Sequence, residues 1–387
     1  MSQPNKVCFL FNHDQTHQIA HSLPIALAMA AIPSVKVTLA VTTDRLAEQV
    51  ARHAGPRLTT MDLVRLDLRS ISSRFLAKAL NGVVPARKLL IYRDNLNLFR
   101  SFDAIVVAEK TSLMLKTRYK IRRPKIVHTR HGAGDRAIGF GRESNQFDLS
   151  LVSGPKIARR LHAEAGVPLE RIAVTGYPKF DLHSENCPAL PFPDPKKPIV
   201  LYNPHLSPRL SSWFKMGPRV IDELTASGRY NVIFAPHVML FARKHVVTIA
   251  PPAVRRVELL DPSLAQRPNL LVDYGSEACT DMSYTNLADV YLGDVSSQIY
   301  EFLRRPRPCL HLNAHGVDWR DSPNYAHWQA GPVVEPDMDI VAAVNDAVAR
   351  HGEYLSLQRT MLADTFSQTE EPAAQRSARA ILNLLDD

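Results

Sequence analysis

The sequence predicts an α/β protein built on two parallel sheets. Three observations carry this: short apolar runs alternate with helical runs, the alternation restarts halfway along, and a proline-rich stretch separates the two series. At 387 residues the chain exceeds most single cores and suits two domains. Residues 6–11 (Val-Cys-Phe-Leu-Phe after a lysine) read as a buried strand, 19–31 as an alanine-rich helix and 35–41 as the next strand. That order opens a parallel sheet, whose ligand contacts lie in the loops after the strands. Residues 46–102 read as helical and basic, and 103–108, 126–129, 149–153 and 172–175 resume the strand pattern. Between Cys187 and Pro198 stand five prolines, at 188, 191, 193, 195 and 198, which no helix or central strand accommodates. The expected division is a first domain over 1–185, a linker over 186–198 and a second domain over 199–387. Strands are expected there at 199–202, 231–235, 270–272, 290–292 and 309–312, with a helix near 218–227. The tail over 341–385 reads as helical and is placed back against the first domain.

Composition excludes several classes. Hydrophobic content of 45% is ordinary for a globular chain, and no run approaches a membrane-spanning length. Residues 1–6 lack the apolar core of a signal peptide, so a cytoplasmic location is expected. Cys8, Cys187, Cys279 and Cys309 form no Cys-x-x-Cys pair, which suits reduced thiols better than zinc or a disulfide framework. His13, His17 and His21 are spaced four apart, but no carboxylate or cysteine completes a ligand set, and no metal is expected. A formal charge of +9 implies attraction to anions without naming one.

Three stretches stand out for chemistry. Residues 286–306 read as strand, tight turn and helix, placing Asp294, Ser296 and Ser297 where a helix N-terminus offers N–H donors to phosphate. Helix capping by Asp294 or Ser296 is an equal reading of that pattern alone. A second stretch, Arg130-His131-Gly132-Ala133-Gly134-Asp135-Arg136, follows a strand and combines a histidine with exposed backbone. Residues 110–125 hold seven cations and no acid. Their interleaved apolar residues suit an anionic membrane surface, although a solvated face is the commoner meaning of such a run.

Two α/β halves with candidate residues at strand ends in both describe a GT-B enzyme, two Rossmann-like domains facing a central cleft. Several motifs resemble, more narrowly, the CDP-glycerol glycerophosphotransferase family, which makes teichoic-acid-like polymers. His131-Gly132 is similar to that family's His-Gly element. Thr175-Gly176-Tyr177-Pro178-Lys179-Phe180-Asp181 resembles its Gly-x-Pro-(Arg/Lys)-x-Asp element, and Tyr202-Asn203-Pro204 its Tyr-x-Pro strand end. Pro236-His237 resembles its second histidine, and Asp294-Val295-Ser296-Ser297 with Glu301-Phe302 its Asp-Tyr-Ser-Ser element. Val295 stands where the family has Tyr, and His205 follows Pro204 in place of its Thr.

The resemblance implies a transferase moving a glycerophosphate or sugar group from a nucleotide-diphosphate donor to a hydroxyl acceptor, lipid-linked acceptors included, in surface-polysaccharide synthesis. His131 would activate the acceptor, and His237 would stabilise the donor phosphates or the leaving group. Ser296 and Ser297 would hold phosphate, Asp294 would shape the turn, and Arg130 and Arg136 are lesser candidates for phosphate pairing. The donor is a substrate, and no cofactor is expected. Peripheral contact with the inner face of the membrane fits the charge, whereas nucleic acid is disfavoured as a partner. A nucleotide-sugar 2-epimerase shares the architecture but needs carboxylates for proton abstraction, and residues 128–136 offer only Asp135. A non-catalytic relative that binds polyanions or membrane is the third reading.

Overall fold

The structure, a computed structural model, describes residues 3–13, 16–79, 86–130, 132–182, 188–249 and 252–386. It divides into two units, one of Met1–His131, Phe140–Leu182 and Asp364–Asp387, the other of Gly132–Gly139 and His183–Ala363.

The first unit is a parallel sheet of seven strands: β1 (Asn5–Phe11), β2 (Val35–Val41), β3 (Asp62–Arg65), β4 (Ala104–Val107), β5 (Lys125–His128), β6 (Leu149–Val152) and β7 (Ile172–Val174), in the order β3-β2-β1-β4-β5-β6-β7. Apolar residues run continuously along β1 because both of its faces are covered. Val7, Phe9 and Phe11 enter one core with the helix Leu23–Ala30 and residues Ala378 and Ile381 of the helix Ala373–Asp386. Cys8 and Leu10 alternate into the opposite core, among Ile91, Tyr92 and Phe99. The chain from Asp364 onward therefore builds the first unit's core.

The second unit is a six-stranded parallel sheet: β8 (Ile199–Asn203), β9 (Asn231–Phe234), β12 (Leu270–Val272), β13 (Val290–Gly293), β14 (Cys309–Leu312) and β15 (Val333–Val334). Its order is β12-β9-β8-β13-β14-β15, and a separate antiparallel hairpin joins β10 (His245–Ile249) to β11 (Pro252–Arg256). Helices Trp213–Ala226 and Ile340–Ala349 bury Val220, Ile221, Leu224 and Val344 against Val200, Tyr202, Val290 and Leu310. The strand order reverses between β8 and β13, so their carboxyl ends flank the crevice where ligands of open α/β sheets sit.

The α/β class and the two parallel sheets match the sequence reading. The expected helical stretch over 46–102 instead contains β3, an edge strand whose sequence, Asp-Leu-Val-Arg, carries a charge at each end. The hairpin β10–β11 and the two-residue β15 were also absent from that reading.

The basic run over 110–125 has no outward apolar face. Leu113, Leu115 and Ile121 are buried in the core with Phe102 and Phe147, and Tyr119 packs against it. Among its cations, Lys110 pairs with Glu143 at 2.7 Å, Lys116 with Asp148 at 2.8 Å and Arg123 with Asp103 at 3.4 Å. No helix among the described residues is long and apolar enough to cross a membrane.

Candidate functional site

The candidate site lies in the second unit, where β9, β8 and β13 end side by side. Their registers place Tyr202 opposite Phe234 and Asn203 opposite Gly293, so the next residues of all three strands share one rim. Asn203 fastens this rim: its amide donates to the Ala235 carbonyl at 2.6 Å and its side-chain oxygen accepts from the Tyr291 hydroxyl at 3.1 Å.

Asp294 follows β13 directly and is buried. One carboxylate oxygen accepts from the backbone N–H of His205 at 2.9 Å and of Val295 at 2.6 Å. The other accepts from the Ser212 N–H at 2.7 Å and the Ser212 hydroxyl at 2.9 Å. Burial pushes the Asp294 carboxyl up to about 6, and these donors oppose the shift. With four donors satisfying it, the carboxylate shapes the loop after β8 and spans the switch point between β8 and β13.

That loop carries His205, which the sequence reading noted only as a departure from a motif. Its Nε2 lies 3.1 Å from Nη1 of Arg136, and its ring centroid is 5.7 Å from that of His237, edge to face. Desolvation first, then the charges of His237 and Arg136, holds His205 well below its ordinary range. His237 is pushed down to about 4, by desolvation and then by Arg136. Its Nδ1 accepts the Met239 backbone N–H at 3.2 Å, which assigns the proton of the neutral ring to Nε2. Near pH 7 the cluster thus comprises a half-buried guanidinium and two neutral imidazoles. The one formal charge of this cluster is positive, so its electrostatics favour an anionic ligand.

Arg136 arrives on the segment Gly132–Gly139, which belongs to the second unit. Two glycines let this segment pass against Ser297: Gly132 has φ +76°, and a Cβ on Gly134 would stand 3.0 Å from the Ser297 Cβ. Between them and Arg136, Asp135 is buried, its Oδ2 taking bonds from the Tyr300 hydroxyl at 2.6 Å, the His327 N–H at 3.2 Å and His327 Nδ1 at 2.9 Å. His327 Nε2 in turn meets the Asp294 carbonyl at 3.0 Å, and Trp328 Nε1 donates to the same carbonyl at 2.7 Å. Asp135, His327 and Trp328 therefore brace both the Arg136 segment and the Asp294 turn.

The remaining candidates are distributed as follows. Ser296 is buried and accepts weakly from the Gln298 N–H, whereas Ser297 is exposed beside the glycines. The helix that they precede, Gln298–Phe302, has five residues, so its dipole is small. Arg130 belongs to the first unit, its guanidinium 4.6 Å from the Phe140 ring, which Arg160 also stacks upon at 3.9 Å. Burial, then repulsion from Arg160, lowers Arg130 to about 10. His131 lies outside the described residues. No group of three His, Cys, Asp or Glu able to hold a metal occurs among the described residues.

The Gly-Tyr-Pro-Lys-Phe-Asp element has a structural task. Gly176 adopts φ +90° with Arg376 and the Ser367 carbonyl pressed against it, Tyr177 and Phe180 pack on Phe366, and Asp181 accepts the Ala374 N–H at 2.7 Å. The motif anchors the start of the helix Ala373–Asp386.

No protein-family model and no curated protein sequence matches the chain. Solved structures do. The wall teichoic acid polymerase TagF superposes with a TM-score of 0.62 at 14% identity, covering 99% of this chain and 90% of that one. A putative UDP-N-acetylglucosamine 2-epimerase from Listeria monocytogenes gives 0.61 at 13% identity, covering 98% and 96%. The S. aureus MnaA-UDP co-structure gives 0.60 at 14% identity, covering 99% and 98%. The fold is GT-B, with two Rossmann-like parallel sheets in one chain.

Proposed function

We propose that the chain is a transferase that binds a nucleoside-diphosphate-activated donor at the Arg136, His205 and His237 cluster and passes a glycerophosphate or sugar group to a hydroxyl acceptor. The observation that carries this reading is the cluster itself, one guanidinium and two neutral imidazoles at the strand ends of a topological switch point. Among the neighbours, TagF was soaked with CDPG and MnaA was solved with UDP, which supports a nucleotide-linked donor.

In this mechanism Arg136 pairs with a phosphate oxygen, and the Nε2–H of His237 donates to the oxygen that gains charge as the donor bond breaks. His205 packs beside both groups, its ring held by the Ser207 N–H on Nδ1. Ser297 adds a hydroxyl at the glycine segment. His131 removes the acceptor's proton, a role resting on the motif resemblance.

One observation weighs against the epimerase reading: the Asp135 carboxylate is buried and engaged by Tyr300 and His327, leaving it unable to act as the proton-abstracting base. The test is to screen CDP, UDP, GDP and CMP by thermal shift, then assay the matching donor for nucleotide release with and without polyol acceptors. Acceptor-dependent release supports transfer. Interconversion of a nucleotide sugar without nucleotide release overturns it.

A further inference from the structure

The loop after β14 carries Tyr325 on the short helical segment Pro323–Ala330, which belongs to the second unit, as the cluster does. Two hydrogen bonds bracket this tyrosine. On one side the Asn324 side-chain oxygen accepts the Ala137 N–H at 2.7 Å, and on the other His327 Nδ1 lies 2.9 Å from Asp135 Oδ2. Asp135 and Ala137 are the chain neighbours of Arg136, so the segments carrying Tyr325 and Arg136 are fastened together on both sides of the pair. The Tyr325 ring packs edge-on against Trp328, with centroids 4.9 Å apart and planes at 68°, and Trp328 donates to the Asp294 carbonyl. Tyr325 therefore stands beside both Arg136 and the Asp294 turn.

Its hydroxyl is the part without a structural task. The buried tyrosines around the site each use theirs: Tyr202 on Ser212, Tyr291 on Asn203 and Tyr300 on Asp135. Tyr325 is partly exposed, and its hydroxyl makes no hydrogen bond among the described residues. Desolvation holds this phenol above its ordinary range, with Arg136 opposing the shift and Asp294 adding to it, so near pH 7 it keeps a proton to donate. The coupling is mutual, since Tyr325 opposes the desolvation that lowers Arg136. A protonated phenol beside a guanidinium offers a second donor to the same anion, and a phosphate group has oxygens enough to accept from both.

We propose that Tyr325 is a further substrate-binding residue of this cluster, its hydroxyl donating to one oxygen of the donor's diphosphate while Arg136 pairs with another. This rests on the transferase reading, which supplies the diphosphate, and adds to it a contact from the loop after β14.

The test is isothermal titration of CDP, UDP and GDP, and of the matching nucleosides, into the wild type, Tyr325→Phe and Arg136→Ala. Phenylalanine keeps the ring on Trp328 and removes only an unpartnered hydroxyl, so Tyr325→Phe should melt with the wild type. It should bind the preferred diphosphate about tenfold or more weakly and the nucleoside as the wild type does, because the hydroxyl meets phosphate alone. Weakened binding by Arg136→Ala with undiminished binding by Tyr325→Phe overturns the role of Tyr325 and leaves the cluster standing. Undiminished binding by both variants, or a wild type that binds none of the three diphosphates, overturns both readings. An equal loss for nucleoside and diphosphate in Tyr325→Phe also overturns the phosphate contact, since it marks a residue that shapes the pocket.

Discussion

Asp294→Asn tests the electrostatic account of the rim. Asparagine keeps the shape and one acceptor oxygen, but its amide nitrogen must face either the His205 and Val295 N–H groups or those of Ser212. Leaving such a buried donor unmatched costs about 1–3 kcal/mol. The substitution also removes a carboxylate raised from 3.8 to about 6, a burden of about 3 kcal/mol on the ionised protein. These terms oppose one another, so stability at pH 7 should lie near that of the wild type. The pH dependence separates them. Because the folded pKa lies above the unfolded one, the folded wild type takes up its proton first as pH falls, and it gains stability that the variant, which does not titrate there, cannot gain. The gain is absent above pH 7, grows through about 6 and is complete below 3.8. At pH 5, one unit below the folded value, it amounts to about 1.4 kcal/mol. Other groups, His237 included, titrate alike in both proteins to first order and cancel. Urea titrations of both at pH 7 and pH 5, following the second unit, measure it. An unchanged difference between the two pH values refutes a raised Asp294.

Two further outcomes are expected. His131→Ala should lower nucleotide release by roughly 10² to 10⁴ while leaving nucleotide affinity nearly intact, because a general base acts in the transition state; full activity in a folded variant removes His131 from the mechanism. Arg307→Ala should destabilise the second unit by about 2–4 kcal/mol, since its guanidinium satisfies the carbonyls of Thr285, Asn286, Ala288 and Phe302, and chemical denaturation would show it.

What could be read from sequence follows from how local each signal is. Strands such as β1 and β13 announce themselves because a fully buried parallel strand is an unbroken apolar run, and loops at their ends follow from the architecture. Strand β3 gives no such signal, being an edge strand with two of its four residues charged. Asp294 was legible as a turn residue, but its task of holding the loop after β8 depends on Ser212 and His205, more than eighty residues away. Likewise Asp135 and His327 are 192 positions apart, and no spacing rule joins them. His205 was visible only as a mismatch to a motif, although a histidine two residues beyond a strand end is the signal that could have identified it. The basic run over 110–125 was ambiguous for a related reason: composition shows charge and apolarity interleaved, and only the fold turns Leu115 and Ile121 inward. In the helix Ile71–Ala79 Ser73 is buried while Phe75 is exposed, and nothing in its sequence says so.

In the proposed function Arg136, with His205 and His237, holds a nucleoside diphosphate. Isothermal titration of the diphosphate selected by the thermal-shift screen into the wild type and into Arg136→Ala tests it most directly. A charge-assisted contact contributes about 1.5–3 kcal/mol, so the variant should bind about ten- to a hundredfold more weakly while the corresponding nucleoside, which lacks phosphate, binds both proteins alike. Equal diphosphate affinity in the two folded proteins contradicts the account.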